Sequence, residues 1–260
     1  MLDRLQKPFL KVDTGEAYQP IRLNYEVFNK EELIQALNKL TCLHKNTAPN
    51  SWDWHWKEEC ADLHFDSSDT FIRNPDRPVR LGTLSIQQDR FYINLPSFKR
   101  ACIAAAFFHE HFSVGSPLIR IHCADFINKV FSLDERLPRG LNDIFKDEEL
   151  EAVLKQRADD YKRVQELCEN AESAEEATAI LKEYTLAEAR KRFPYAERYA
   201  FDWEQKASVE GVFLNFYVYL RGREMVAIKR WAGEMNYTLV NVADDVVHQI
   251  FGAMDIDIIE

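Results

Sequence analysis

Between Ala101 and Phe108 every side chain is apolar, on all sides of a helix and not along one stripe. A helix that is apolar all round is buried on more than one face, and this run is far shorter than the roughly 20 residues that span a bilayer. The pattern predicts a central core helix over residues 97–112, polar only at its ends. Around it the chain alternates. Ile21, Leu23, Tyr25 and Val27 share one parity, which predicts a strand within 9–28. Asn29 followed by Glu32 starts a helix whose apolar face is Leu33, Ile34, Leu37 and Leu40. Trp52, Trp54 and Trp56 alternate with Asp53, His55 and Lys57, so a strand there carries all three indoles on one side. Residues 79–95 read as a hairpin, with Leu84 and Ile86 on one arm and Phe91, Ile93 and Leu95 on the other. Beyond the core helix, Ser113 to Pro117 is a turn and Leu118 to Cys123 a short strand. Strand, helix and strand with short joins predict a βαβ unit with a locally parallel pairing. Phe126, Ile127, Val130 and Phe131 then begin a further helix.

The pattern changes near Pro138, Arg139 and Gly140. From Leu133 to Ala189 there are sixteen acidic residues and eight basic ones. Leu150, Leu154, Tyr161, Val164 and Cys168 follow a four-three spacing, with Arg157 at the one step that is not apolar. Ser173 and Glu176 form a capping box for a second helix, faced by Ile180, Leu181, Tyr184 and Ala187 and stopped before Pro194. The two make an αα-hairpin. Residues 207–231 form a long amphipathic helix, and Asn241 with Asp244 caps a last one ending at Gly252. The expected class is α+β: a mixed α/β N-terminal half with a small mixed sheet and a buried central helix, and an all-helical C-terminal half. Residues 1–135 are expected as one domain and 136–260 as an acidic helical domain packed on it.

Composition narrows the classes. A net charge of −10 over 260 residues argues against a protein that coats nucleic acid non-specifically, because phosphate backbones are held by clustered Lys and Arg. Five cysteines, odd in number and without a Cys-x-x-Cys pair, together with no apolar leader at Met1, predict reduced thiols and a cytoplasmic location. No run is long enough to enter a membrane.

Against this acidic background, Thr70 to Arg100 carries Arg73, Arg77, Arg80, Arg90, Lys99 and Arg100 with only Asp76 and Asp89. Lys99 and Arg100 fall in the first turn of the central helix, where a cation opposes the macrodipole at about 0.3–1 kcal/mol when exposed. A local rule broken this way points to a compensating anion. The free amides of the helix start, with Ser97 and the nearby arginines, suit phosphate or carboxylate. The surplus carboxylates of residues 133–189, or those of another protein, suit the same band. Arg73, Arg77, Arg80, Arg90, Ser97, Lys99 and Arg100 are therefore the expected anion- or partner-binding residues.

Other motifs are thinner. Asp13-Thr14-Gly15 resembles the catalytic loop of aspartic proteases, in which a carboxylate on a tight turn shares a proton with its twin. The resemblance covers three residues, Glu16 stands where that family has Ala or Ser, and no second such tripeptide exists; an ordinary turn closed by an Asp side chain is the favoured reading. His109, His111 and His122 are the candidate zinc ligands. Histidines two apart on a helix point roughly 200° apart, so they converge only if the helix ends at Phe108. The three tryptophans suit base or sugar stacking, or simply a core. Glu204-Gln-Lys206 matches half of a nuclease motif. Walker, dinucleotide-binding, Gly-x-Ser-x-Gly and His-Glu-x-x-His patterns are missing, so no cofactor and no catalytic residue is assigned.

The expectation is a non-catalytic cytosolic adaptor or subunit of a multiprotein assembly, with a protein partner or self-association. Two alternatives stand beside it: a nucleic-acid-binding or nucleic-acid-processing component using residues 73–100, and a metal-dependent hydrolase using the histidines.

Overall fold

The computed structural model describes residues 8–65, 78–138, 140–203 and 208–254, the last six as backbone alone. In chain order the elements are β1 (Ile21–Val27), α1 (Lys30–Leu37), β2 (Leu43–Lys45), β3 (Ser51–His55), β4 (Arg80–Gln87), β5 (Arg90–Leu95), α2 (Phe98–Phe112), β6 (Ile119–Ile127), α3 (Asp147–Glu169), α4 (Ala174–Arg190), β7 (Ala196–Ala200), α5 (Val209–Trp231) and α6 (Leu239–Met254). The seven strands form one sheet in the order β2-β3-β4-β5-β1-β6-β7. The class is α+β, with helices dominating the C-terminal half.

Every pairing is antiparallel. The expected parallel pairing of β5 with β6 does not form, because β1 inserts between them and is antiparallel to both. The crossover through α2 therefore spans an intervening strand, and the sheet is not mixed. Phe126 and Ile127 extend β6 and do not begin a helix. The C-terminal half is not wholly helical either, since β7 joins the sheet beside β6.

Period-2 alternation separates the two faces. From β3 to β7 one register line reads Trp52, Leu84, Ile93, Leu23, Ala124 and Tyr199, apolar save for one tyrosine hydroxyl, and it ends at exposed Lys45 on the edge strand β2. The neighbouring line, on the opposite face, reads His44, Asp53, Thr83, Asn94, Arg22, Asp125 and Arg198, and crosses all seven strands without an apolar residue. The apolar face is covered by α2, held in turn by α5. Phe98, Ala101, Ala104, Ala105, Phe107, Phe108 and Phe112 of α2 are buried, and Val212, Phe216 and Leu220 of α5 enter the same core. Fully burying a Phe or Leu is worth about 1.5–3 kcal/mol, so this sandwiched helix is the centre of the hydrophobic stabilisation. The three tryptophans belong to that core: Trp52, Trp54 and Trp56 are 1%, 0% and 4% exposed, with Trp54 against Phe107 and Phe108. They have no open face for a base or sugar.

The helix starts at Asn29 and Ser173 follow the expected caps, and Ser97 and Ser208 cap α2 and α5 in the same way: each of the four side chains accepts a hydrogen bond from a backbone N–H three residues on. The last helix begins earlier than expected. Asn241 accepts from the backbone N–H and hydroxyl of Thr238, which makes Asn241 an in-helix partner and Thr238 the boundary, and the helix runs past Gly252 to Met254. It crosses α5 closely at Gly222, where a Cβ would lie 2.9 Å from Leu239 Cδ2. No described helix is long and apolar enough to cross a membrane.

Candidate functional site

The cations of the basic stretch part company in the structure, and Arg100 shows why. Ser97 caps α2 by accepting from the Arg100 backbone N–H at 3.2 Å. The Arg100 side chain, 2% exposed, then folds back towards the N-terminal segment. Nε and Nη2 donate to Thr14 Oγ1 at 3.1 and 2.7 Å, and Nη1 donates to the carbonyls of Arg80 and Leu81 at 3.0 and 3.1 Å. Thr14 donates to Glu16 Oε2 at 2.5 Å. The anion that a cation in the first helical turn calls for is thus Glu16, reached through the Thr14 hydroxyl. The expected partners, the carboxylates of residues 133–189, do not serve it. Burial lowers the Arg100 pKa, while Glu16 and Asp13 act in the opposite direction.

Residues 11–17 owe their shape to a tight hairpin. Val12 N–H donates to the Glu16 carbonyl and Gly15 N–H to the Val12 carbonyl, both at 2.9 Å. Gly15 has φ +94°, a region that favours glycine. The Asp13-Thr14-Gly15 tripeptide is therefore a turn whose middle residue pins Arg100. Its Asp13 is exposed and acts, with Glu16, on the charge of Arg100.

Beside this pin lies a cleft of about 550 Å³ on the polar side of the sheet. Its floor is Arg80 to Thr83 and Asn94 to Pro96. One wall is Leu10 to Asp13, the other Leu137, Pro138, Gly140 and Leu141. This volume falls within the range of small-molecule sites, about 300–1,000 Å³. Arg80 at its rim is 62% exposed, with Asp53 at 3.6 Å, and Lys11 is exposed on the Leu10–Asp13 wall. Gly82 is needed beneath it, because a Cβ there would lie 2.7 Å from Leu95 Cδ2 and 2.8 Å from the Asn94 carbonyl oxygen.

Of the expected residues, Arg80 and Arg100 meet at this cleft, and buried Ser97 is linked to it only through the Arg100 backbone N–H. Arg90 lies at the far end of the β4–β5 hairpin, beside Gln87 and Glu26. Lys99 lines a separate groove with Tyr217, Arg221 and Glu224. Arg73 and Arg77 lie outside the described residues, as does Glu204-Gln-Lys206.

The histidines do not converge. α2 continues to Phe112, which keeps His109 and His111 on opposite sides of the helix. His109 stacks on Trp203 and packs against Phe213. Burial lowers its pKa, with Glu210 opposing. His111 Nδ1 lies 2.8 Å from the Phe107 carbonyl oxygen. His122 is the extra residue where the β1–β6 register shifts. Among the described residues no group of three His, Cys, Asp or Glu could hold a metal ion.

A second ionic centre lies on β7 and was missed from sequence. Glu197, 0% exposed, accepts from Arg157, Tyr219, Arg223 and Asn128. Burial alone would raise its pKa, but Arg223 and Arg157 hold it down to about 2. Arg198 donates to Asp125 at 2.5 and 2.9 Å, and to Asp147 and Glu151 at 2.6 Å each. Burial opposes its charge, yet Asp125 and Asp147 outweigh that and raise its pKa. The one sequence signal was Arg157, the polar step in the apolar repeat of α3, which turns inward to Glu197. This centre binds α3 and α5 to the sheet and leaves Glu197 no free lone pair for chemistry.

No protein-family model, curated protein or solved structure matches the chain.

Proposed function

We propose that the protein is a non-catalytic adaptor or subunit of the cytosol that works through contacts with protein surfaces. The observation that carries this reading is the outer side of α5. Leu214 and Val218 are 60% exposed and Tyr217 48% exposed, at i, i+3 and i+4 on one stripe, opposite the buried stripe of Val212, Phe216 and Leu220. Single exposed apolar residues are ordinary, but a contiguous apolar row on a helix marks a contact surface. Two further features support it. The buried ionic groups are engaged internally, on Thr14 and on Glu197, and the five cysteines are unpaired, as suits a reducing compartment. The test is affinity capture with the full chain and with a Leu214→Glu, Val218→Glu variant. Wild type should enrich a defined protein, itself or another, that the variant loses. Identical captured sets would remove the reading.

The cleft favours a second reading, a component that binds nucleic acid or another phosphate-bearing ligand through Lys11 and Arg80. Charge reversal at Arg100 would disrupt the fold and tests nothing here. Arg80→Glu with Lys11→Glu should abolish retention on an oligonucleotide or phosphate column while the protein stays folded. Unchanged elution would eliminate this alternative.

A further inference from the structure

The stripe on α5 has a pattern of charge that names its occupant. It begins at Glu210 and ends at Arg221, eleven residues on, so both ends point the same way within about 20° and are about 16 Å apart. Between them lie Leu214, Tyr217 and Val218. Glu210 and Arg221 are both exposed, Arg221 being 53% exposed and bonded to Glu224 of its own helix. The neighbouring helix repeats the pattern. α2 runs antiparallel to α5, since His109 near its C-terminus meets Phe213 while Phe98 and Lys99 near its N-terminus share a groove with Tyr217 and Arg221. Exposed Glu110 of α2 thus lies at the same end as Glu210, and Lys99 at the same end as Arg221. Exposed Ala106 lies between them on α2, and its small side chain leaves room for close approach. The surface is negative at one end, apolar in the middle and, with Lys99 and Arg221 against the single, buried carboxylate of Glu224, positive at the other.

A surface of this kind is complementary to itself when turned by a two-fold axis, the requirement for an isologous interface. We infer that this α2–α5 face pairs with a second copy of the chain, the two α5 helices lying antiparallel. Glu210 then faces Arg221 of the second copy, Leu214 faces its Tyr217, and each contact occurs twice. This inference rests on the reading of α5 as a protein-contact surface and specifies the partner.

The experiment is sedimentation equilibrium of the full chain over a concentration series, with circular dichroism as the check on folding. Wild type should show a monomer–dimer equilibrium that weakens with salt, because exposed charges are screened. Leu214→Glu with Val218→Glu should leave a folded monomer. Glu210→Arg alone, or Arg221→Glu alone, places two like-charge pairs in the interface and should weaken the dimer about tenfold or more. The two reversals together restore the pairing with its polarity inverted, and should return affinity to near the wild-type value. A different partner surface would not show that rescue. A monomer at every concentration overturns self-pairing, as does a dimer indifferent to the Leu214 and Val218 changes, or reversals that add instead of cancelling. If the chain is monomeric and the double Glu variant still loses a captured protein, self-pairing fails while the contact-surface reading stands. If that variant changes neither, both fail.

Discussion

Arg100 and Arg198 are buried to nearly the same depth, 2% and 5% exposed, and are held by opposite means. Arg100 gives its donors to a hydroxyl and two backbone carbonyls, with its nearest carboxylate one hydrogen bond further away. Arg198 gives its donors to three carboxylates. The first arrangement fixes direction without neutralising charge, so it stiffens one corner: the N-terminal hairpin, the start of β4 and the start of α2. The second balances charge and, with Glu197 beside it on the same strand, joins α3, α5, β6 and β7. Polar acceptors position; opposite charges assemble.

That contrast sets the size of the expected effects. Glu197→Ala should be the most damaging change, because it leaves Arg157, Arg223 and Tyr219 facing a void. Breaking one partner from a buried ion pair costs about 3–5 kcal/mol, read from the urea midpoint. The same group carries an acid dependence. Its folded pKa of about 2 lies below the ordinary glutamate value near 4.3. Its stabilisation is therefore complete above about pH 4.3 and lost as pH falls towards about 2. Melting temperatures should drop across that window, and Glu197→Gln should flatten the slope. Arg100→Ala comes next, at about 3 kcal/mol, because it strands the carbonyls of Arg80 and Leu81 together with the Thr14–Glu16 pair. Arg100→Lys should rescue little of this, since one ammonium cannot span the hydroxyl and both carbonyls as a planar fork does. Thr14→Val should cost about 1–3 kcal/mol by removing the relay alone. Arg80→Ala should stay within about 0.5 kcal/mol, as for an exposed side chain whose backbone makes the structural contact. An Arg80 change as large as that at Arg100 would break the distinction between pin and rim.

Much of the fold was legible because its signals are local. The parity of Ile21, Leu23 and Tyr25, the caps at Asn29 and Ser173, and the apolar run of α2 each act within a few residues. The insertion of β1 between β5 and β6 was not legible, because no periodicity encodes which strand a strand pairs with. β7 was hidden for a different reason. Two charged residues in a five-residue stretch carry no strand signal, yet Glu197 and Arg198 are both buried, and their partners lie as far away as Asp125, 73 positions earlier. The candidate site was half legible. The helix start with two cations demanded an anion, but the sequence could not tell a distant acidic helix from Glu16, because a threonine hydroxyl stands between that carboxylate and the guanidinium.

The sheet also limits how copies of this chain can meet. At one margin β2 is only three residues long and carries exposed His44 and Lys45. At the other, β7 is five residues long and α3 reaches it through Asp147, Glu151 and Arg157. Short, charged or shielded margins give a stray strand little to add to. Edge-to-edge growth into fibrils is discouraged at both borders, so productive assembly is directed to the helical exterior.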